Sequence, residues 1–443
     1  MQGTLNASAA YQQNDGKKTA LSSPELACEE IKRRVNAKGY GLVDFRFTEL
    51  GGRPWRLSMS ADTLTPELFS NGVIVDGRQV GGTWEGLISI RPDAASIFTD
   101  PTAATPTISI MCDIVRASGE EYVEDSRSAL KRAEAHFKET QLGAVWTVGA
   151  EVEFFISEKS GEPLGDEALR EILRAMWSAL GDAGVRVDWF RTGPAKGQGR
   201  VQMRSGSALQ TADQIVIYKN VVRSVASAHG KTARFLPKPF SGDGCISMFV
   251  HHALWRDGVN LFHDPQGWAY MSEAGRWFAG GLLRHAPALL AFCAPTVNSY
   301  RRLLPGNPGT ERELSTTRTS AVCRVPAGTS GPVPASRRVK FCSADPSANP
   351  YLAFSAMLMA GLDGIEGRIE PLIDPAPEKI EPLPQSLEEA LEALSSDRSF
   401  LTANAVFTDA LIDGWLSNRW KQQILPIRAV PHPMELRLEE QES

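Results

Sequence analysis

Two glutamates stand two residues apart in a β-rich run, Glu151 and Glu153 within residues 149–156. Because successive side chains of a strand point to opposite faces, both carboxylates should share one face, with Val152 and Phe154 on the other. Carboxylate oxygens are the hard ligands that Mg²⁺ requires. The alternative is that the pair forms the solvated polar face of an edge strand. Whether these residues form a functional site therefore depends on which side chains of the neighbouring strands lie on the same face.

The elements around this run predict an α+β protein without internal repeats. β-rich runs at 41–50, 55–58 and 108–115 predict a small sheet-based domain near the N-terminus. Apolar residues on one face of 126–140 predict an amphipathic helix that opens the larger part of the chain.

Later segments add helices to this larger part. Helices are predicted within 203–228, 267–294 and 349–362, the last one ending at Gly364. After a Pro-rich connector at 371–384, Ser386 and Glu389 have the S-x-x-E spacing of a capping box, which predicts another helix start.

Composition restricts the classes of function. The chain has 443 residues, of which 42% are hydrophobic and 22% charged, and a formal charge of −5. This composition is typical of a globular protein with room for two cores. A net acidic chain argues against general nucleic-acid binding, which needs a basic face. No apolar run is long enough to span a bilayer, so we expect no membrane partner.

The cysteines and the N-terminal residues favour a cytoplasmic location. The six cysteines lack Cys-x-x-Cys spacing and are expected to be reduced, mostly buried thiols. Residues 1–22 are polar, without the apolar core of a secretory signal, and are predicted to form a flexible tail.

Several motifs in the same order resemble the bacterial type I glutamine synthetases over roughly residues 25–435. The strongest is 343–365, which contains Asp345, Asn349-Pro350-Tyr351 and a long apolar stretch. The other matching segments are 43–52, 76–84, 122–135, 149–156, 237–240, 298–306 and 431–435. The order of so many segments makes the resemblance specific.

The resemblance implies a fold, an assembly and a chemistry. It implies an N-terminal β-grasp domain, placed at 24–118, and a larger catalytic-type domain with a curved antiparallel sheet, placed at 119–443. Members of this family form rings, commonly dodecamers, with active sites between neighbouring subunits. Two divalent cations position ATP, the glutamate side chain is phosphorylated, and ammonia displaces the phosphate.

The metal-binding positions depart from the family pattern. Glu151 and Glu153 match one ligand of each metal, but the two glutamates of the next ligand segment are replaced by Gly193 and Arg200. The remaining ligands are altered as well. A metal-binding histidine becomes Phe249, the last metal glutamate becomes Lys340, and only the second histidine of the His-x-His pair remains, as His251.

We therefore predict two ion pairs, Glu153 with Arg200 and Glu151 with Lys340, in place of two metals. A fixed cation beside a single carboxylate repels a dication, and an unpaired buried glutamate would be costly. No metal ligand is assigned and no cofactor is expected.

The positions that would handle phosphate and ammonia are also depleted. Arg302 and Arg324 match family arginines, and Arg338 belongs to the same segment as Lys340. Two further arginines become Thr319 and Cys342, which cannot clamp phosphoryl oxygens. Other changes concern the ammonia and glutamate side of the site. The flap glutamate becomes Pro308, the glycine-rich loop becomes 245–248, and Asp76 is retained while the two serines after it become Arg78 and Gln79.

Three functions remain open on these residues. The first is a metal-free pseudoenzyme, or a binder of a small anion or amino acid, in amino-acid, nitrogen or specialised metabolism. Its cleft would be made electropositive by Arg200, Arg302, Arg324, Arg338 and Lys340. The second is a divergent ATP- and Mg-dependent carboxylate–amine ligase, with Asp76 or His251 as base. The third is a regulatory partner that joins rings with an active glutamine synthetase.

The candidate site consists of two sets of residues. Asp76, His251, Arg302 and Arg324 are the candidate catalytic residues, and Glu151, Glu153, Arg200, Arg338 and Lys340 are the candidate binding residues. Self-association in a ring is expected. The acidic segment 437–443 differs from the aromatic ending common in the family and argues against an unchanged ring-to-ring contact.

Overall fold

The computed structural model describes residues 23–80, 84–105, 107–143, 145–242, 244–326, 336–432 and 434–435. The predicted N-terminal tail at 1–22 and the acidic segment 437–443 lie outside these residues. Among the described helices, none is both long and apolar enough to cross a membrane.

The first sheet is built from β1 to β6 and contains one parallel pair. Its strands are β1 (Leu42–Thr48), β2 (Pro54–Ser60), β3 (Val73–Asp76), β4 (Leu87–Pro92), β5 (Phe98–Thr99) and β6 (Thr107–Arg116). The order is β2-β1-β6-β4-β3, with β5 on β6, and β1 runs parallel to β6. Helices α1 (Pro24–Lys38) and α2 (Pro66–Asn71) accompany it. A separate apolar cluster, which includes Ile31, Phe45 and Ile110, fills this part of the molecule.

The second sheet is larger and mostly antiparallel. Its strands are β7 (Val145–Ser157), β8 (Val187–Thr192), β9 (Gln198–Met203), β10 (Gly206–Ser207), β11 (Thr232–Arg234), β12 (Met248–Arg256), β13 (Val259–Asn260), β14 (Glu311–Ser315), β15 (Ala321–Arg324) and β16 (Val339–Phe341). The main order is β14-β15-β16-β12-β7-β9-β8. Only the β14–β15 pair among the described strands of this sheet is parallel, a small departure from the expected antiparallel sheet.

Helices cover the second sheet and build the larger core. They are α3 (Ser126–Glu139), α4 (Asp166–Asp182), α5 (Ala208–Ala228), α6 (Glu273–Arg284), α7 (Ala286–Cys293), α8 (Val297–Arg302), α9 (Pro350–Glu366), α10 (Leu387–Ser396), α11 (Ser399–Thr402), α12 (Asp409–Arg419) and α13 (Leu425–Arg428). A π-helical turn at Trp420–Ile424 joins the last two. The α+β prediction is confirmed. The change of sheet after Arg116 lies close to the boundary predicted at 118, while the division into 24–118 and 119–443 stays a prediction.

Two helix predictions were wrong in detail. The expected helix across 267–294 is broken at His285 into α6 and α7, and it begins only at Glu273. The helix predicted to end at Gly364 continues to Glu366. Gly364 serves a different purpose, since a Cβ there would lie 2.2 Å from the carbonyl oxygen of Trp277. Glycine is needed because α6 and α9 cross in close contact, and it does not cap the helix.

The predicted start of α10 is confirmed, with one difference. The Ser386 Oγ accepts a hydrogen bond from the Glu389 N–H at 3.1 Å, as in a capping box. The Glu389 carboxylate, however, accepts from the Gln385 N–H at 2.8 Å, one residue before the cap.

A buried arginine joins the two sheets. Arg127 of α3 donates to Asp113 of β6 at 2.6 Å, to Asp93 at 2.8 Å and twice to Asp213 of α5, at 2.9 and 3.0 Å. The Tyr351 hydroxyl donates to the same Asp213. The planar guanidinium therefore fixes the first sheet against the helices of the second.

We expect Arg127→Leu to destabilise the protein by about 3 to 5 kcal/mol, because the buried carboxylates of Asp113 and Asp213 and the partly buried one of Asp93 lose their common partner. The midpoint of urea unfolding measures this loss. Arg33→Leu is the matched control, since it removes an exposed arginine of an (i, i+3) pair, and it should cost less than about 1 kcal/mol. Equal midpoints for the two variants would contradict the proposed anchoring role.

Candidate functional site

The two glutamates lie on a central strand. β7 pairs with β12 on one side and with β9 on the other, so the edge-strand alternative was wrong. Val152 and Phe154 belong to the apolar core on the opposite face, as the period-2 alternation predicted. Glu151 and Glu153 are themselves buried, with 6% and 2% of their surface exposed. Buried carboxylates require partners, and the neighbouring strands supply them.

Arg200 is the partner on β9. It lies directly opposite Glu153 in the strand register. Its Nε donates to Glu153 Oε1 at 2.7 Å, and its Nη2 donates to the same oxygen. Its Nη1 reaches Glu151 Oε2 at 3.3 Å. The predicted pair with Glu153 is confirmed, and Arg200 in addition bridges both glutamates.

Lys340 is the partner on β16. Its Nζ donates to Glu151 Oε1 at 2.7 Å, which confirms the second predicted ion pair. His251 of β12 lies opposite Lys340 in the register, and its Nε2 lies 2.9 Å from the same Glu151 oxygen. Because an ionised carboxylate can only accept, the Nε2 atom of His251 carries the hydrogen. The other ring nitrogen, Nδ1, is buried and has no partner among the described residues.

Phe249 lies between the two cations. It stands opposite Glu151 in the register of β12 and β7. The Lys340 Nζ is 4.1 Å from the centre of its ring, and the Arg200 guanidinium carbon is 4.9 Å from it. The electron-rich ring face attracts both cations. Phe249 therefore packs against the two cations as well as filling space.

These contacts set the ionisation of the cluster. Burial would raise the pKa of Glu151, but the hydrogen bond from His251 and the charge of Lys340 outweigh burial and hold the pKa well below its usual range. Burial raises the pKa of Glu153, and Arg200 and the Ser247 N–H oppose that rise. Burial, with Arg338 and Lys340 nearby, lowers the pKa of His251 to about 3. His251 is therefore neutral at neutral pH.

Arg302 reaches the cluster from the end of α8. It is fully buried, and its Nη1 donates to Ser247 Oγ at 3.3 Å and to the Pro308 carbonyl at 3.4 Å. Its Nη2 donates to the Ser343 carbonyl. The Ser247 N–H in turn donates to Glu153 Oε2 at 2.7 Å. Backbone and hydroxyl oxygens thus hold Arg302 in place, and Ser247 links it to Glu153.

Arg324 and Arg338 complete the positive side of the site. Arg324 of β15 stands opposite Lys340 in the register, and Arg338 precedes Lys340 by two positions. The Nε atoms of both arginines are buried without a partner, and no ion pair involves either guanidinium in the described part of the chain. Burial lowers the pKa of Arg338. The charge of these two arginines is therefore not balanced by an ion pair among the described residues.

The other predicted positions lie apart from this cluster or are inert. Asp76 ends β3 in the first sheet and pairs with exposed Arg78 at 3.1 Å. Burial raises the pKa of the Cys342 thiol to about 11, so it remains protonated. The sequence alone did not reveal that Arg200 bridges both glutamates, that His251 bonds Glu151, or that the Ser247 N–H caps Glu153. The strand register is the signal that brings these groups together.

The cluster does not fit a divalent cation. Each of the four oxygens of Glu151 and Glu153 already accepts a hydrogen bond from Lys340, His251, Arg200 or the Ser247 N–H. No group of three or more His, Cys, Asp and Glu suited to a metal occurs among the described residues. Mg²⁺ needs several hard oxygen ligands, and two fixed cations in contact with the carboxylates oppose it.

Comparison with known proteins places this fold and site in one family. The model of the glutamine synthetase catalytic domain matches residues 162–439. The glutamine synthetase of Rhizobium meliloti (strain 1021) is 34% identical over 463 residues, covering 92% of this chain and 97% of its own. That of Frankia alni is 34% identical over 468 residues, covering 93% and 98%. The chain therefore belongs to the glutamine synthetase family.

Solved structures agree on the fold. A cryo-electron microscopy structure of Plasmodium falciparum glutamine synthetase superposes with a TM-score of 0.85 at 21% identity, covering 93% of this chain and 98% of that one. The structure of apo GmaS without ligand superposes with a TM-score of 0.80 at 27% identity, covering 91% and 97%. The predicted glutamine synthetase fold is confirmed.

We expect His251 to make stability depend on pH. The unfolded side chain takes up a proton near its ordinary pKa of 6.5, whereas the folded one resists protonation down to about 3. The folded state is thus favoured above pH 6.5, and this stability is lost as the pH falls. Between pH 6.5 and about 5 the loss should reach about 2 kcal/mol.

Urea unfolding at several pH values tests this expectation. His251→Gln keeps a donor for Glu151 but cannot titrate, so its midpoint should fall less on acidification than that of the parent protein. His432→Gln, at an exposed histidine, is the control and should follow the parent. An unchanged slope in the His251→Gln variant would show that this buried imidazole is not responsible.

Proposed function

We propose that this protein is a glutamine synthetase homologue that binds a small anion and has lost two-metal, ATP-dependent ligation of glutamate and ammonia. The observation that carries the proposal is that Glu151 and Glu153 form ion pairs with Arg200 and Lys340. The carboxylates of Glu151 and Glu153, which would bind two divalent cations in a metal-dependent ligase, are instead paired with two side-chain cations.

The charge balance supports an anionic ligand. Arg200 and Lys340 neutralise the two glutamates, and His251 is neutral. Arg302, Arg324 and Arg338 then add positive charge that no carboxylate of the described residues neutralises by an ion pair. A cleft with excess charge of one sign attracts ligands of the opposite sign.

Arg324 and Arg338 are the groups best placed to hold the anion. Neither guanidinium takes part in an ion pair among the described residues, so an anion could form charge-assisted hydrogen bonds with them without displacing a carboxylate. Arg302 is less suited, because backbone and hydroxyl oxygens already hold both of its terminal nitrogens. We assign Arg302 a positioning role between Ser247 and the loop at 308.

We expect inorganic phosphate to stabilise the protein against heat, because an anion bound only to the folded state raises its stability by mass action. In a thermal-shift titration at constant ionic strength, the double variant Arg324→Ala, Arg338→Ala should lose this stabilisation. Arg33→Ala, which removes an exposed arginine paired with Glu30, is the control and should keep it. Equal stabilisation of parent and double variant would contradict the assignment.

We also expect no stoichiometric Mn²⁺ binding and no ADP release from ATP with glutamate and ammonium. Electron paramagnetic resonance of free Mn²⁺ measures the first, and a coupled ADP assay the second. The double variant Arg200→Glu, Lys340→Glu removes both cations and adds two carboxylates, so it should gain Mn²⁺ affinity. Tight Mn²⁺ binding by the parent protein would overturn the proposal.

A carboxylate–amine ligase with a rebuilt site is the second candidate. Its support is the identity of 34% with glutamine synthetases over 92% of the chain and the likeness to GmaS. ATP and Mg would then be required, with Asp76 reaching the site only from a neighbouring subunit. ADP release that depends on an amine other than ammonia, in the same coupled assay, would favour this candidate over the first.

Assembly and location follow from the family and are proposed on that basis. We propose self-association in a ring, of which a dodecamer is one form, and a cytoplasmic location. A regulatory role in mixed rings with an active glutamine synthetase is the third candidate. Co-purification of the two proteins in one ring would support it.

A further inference from the structure

A cleft outside the ion-pair cluster opens between three segments of the chain. It lies between the loop at 238–241, helix α8 with the residues after it, and the start of α10, and has a volume of about 660 Å³. Small-molecule sites in proteins range from about 300 to 1,000 Å³. The cleft is therefore large enough for a metabolite, and none of the site residues discussed above lines it.

The walls of the cleft are mostly apolar. They include Phe240, Val297, Leu304 and Leu387. Leu304 keeps 50% of its surface exposed, which is high for a leucine. An apolar body placed against these side chains would be stabilised by about 25 cal/mol for each Å² removed from water.

Two basic residues line the same cleft. Lys238 donates to the Gly242 carbonyl at 2.6 Å, and Arg301 is exposed. No carboxylate pairs with either of them within the residues that the structure describes. The acidic residue of the cleft, Glu388, is bound by Arg428 at 3.1 Å. The cleft thus has two available positive charges, while its one carboxylate is already paired.

We propose that this cleft binds a small carboxylate with an aromatic or branched apolar body. Apolar walls would receive the body, and Lys238 and Arg301 would receive the carboxylate. Neither a bare inorganic anion nor a neutral aromatic molecule uses both features of the cleft. The ligand class is therefore set by the combination of apolar walls with two unpaired cations.

The cleft and the ion-pair cluster share their supports. Asn298 of α8 accepts from the Lys238 N–H at 2.7 Å and donates to the Lys238 carbonyl at 3.0 Å. The same helix ends in Arg302, and the same loop leads to Ser247. The loop at 238–241 and helix α8 thus line the cleft. Ser247, which follows the loop, and Arg302, which ends the helix, belong to the ion-pair cluster.

Isothermal titration of the full chain with phenylacetate tests the proposal. We expect saturable binding with a dissociation constant on the order of 0.1 to 1 mM, as suits a ligand of this size. Acetate lacks the apolar body and phenylacetamide lacks the charge, so both should bind at least about tenfold more weakly. Equal binding of phenylacetamide, or no binding of phenylacetate, would overturn the proposal.

Variants locate the ligand. Leu304→Trp should fill the cleft and weaken phenylacetate binding at least about tenfold, and Arg301→Ala should weaken it by about the same factor. Leu372→Trp, at another exposed leucine, is the control and should bind like the parent. Glu388→Gln should strengthen binding, because it removes a negative charge from the wall.

The double variant Arg324→Ala, Arg338→Ala separates this cleft from the anion site proposed above. It should keep phenylacetate binding while losing stabilisation by phosphate. Loss of phenylacetate binding in this variant, or unchanged binding in Leu304→Trp, would show that the ligand lies elsewhere.

Discussion

The structure depends on how two buried carboxylates on one central strand are neutralised. Glu151 and Glu153 are two residues apart and share a face, so neither can leave the cluster without a change in strand register. An uncompensated buried carboxylate costs several kcal/mol. Because Arg200 and Lys340 neutralise these carboxylates, this part of the sheet needs no bound ion to balance its charge. A site neutralised by metals would instead depend on their concentration.

This mode of neutralisation constrains the residues around it. A side chain that lies between the two cations must interact favourably with positive charge without adding a further carboxylate. The ring of Phe249 meets this requirement, because its electron-rich face attracts both cations. His251 must remain neutral beside Lys340, which burial ensures. The residues at 200, 249 and 340 are therefore physically coupled. Changing Lys340 alone would leave Glu151 with His251 and a longer contact to Arg200.

The sequence predicted the pairing of charges better than their geometry. The period-2 spacing of Glu151 and Glu153, together with the matched positions of Arg200 and Lys340, was sufficient to predict which groups meet. The shared role of Arg200 and the immobilisation of Arg302 were not predictable, because they depend on strand register and on carbonyl groups from distant loops. Likewise, Gly364 has the local pattern of a helix end, but its role is set by the approach of α6. Local patterns indicate elements, whereas contacts between distant segments determine what a residue does.

The two sites differ in what a ligand would have to do. At the ion-pair cluster the proposed anion would meet arginines that the fold has already partly desolvated, so part of the cost of burying the cations would have been met during folding. At the cleft the cations are still hydrated, and affinity has to come from the apolar walls. Asn298 hydrogen-bonds the loop at Lys238 to the helix that ends in Arg302. Movement of either segment would therefore change the geometry of both the cleft and the ion-pair cluster. Linkage requires that any such influence be reciprocal. A fold that keeps this connection could couple the two proposed ligands without two-metal chemistry.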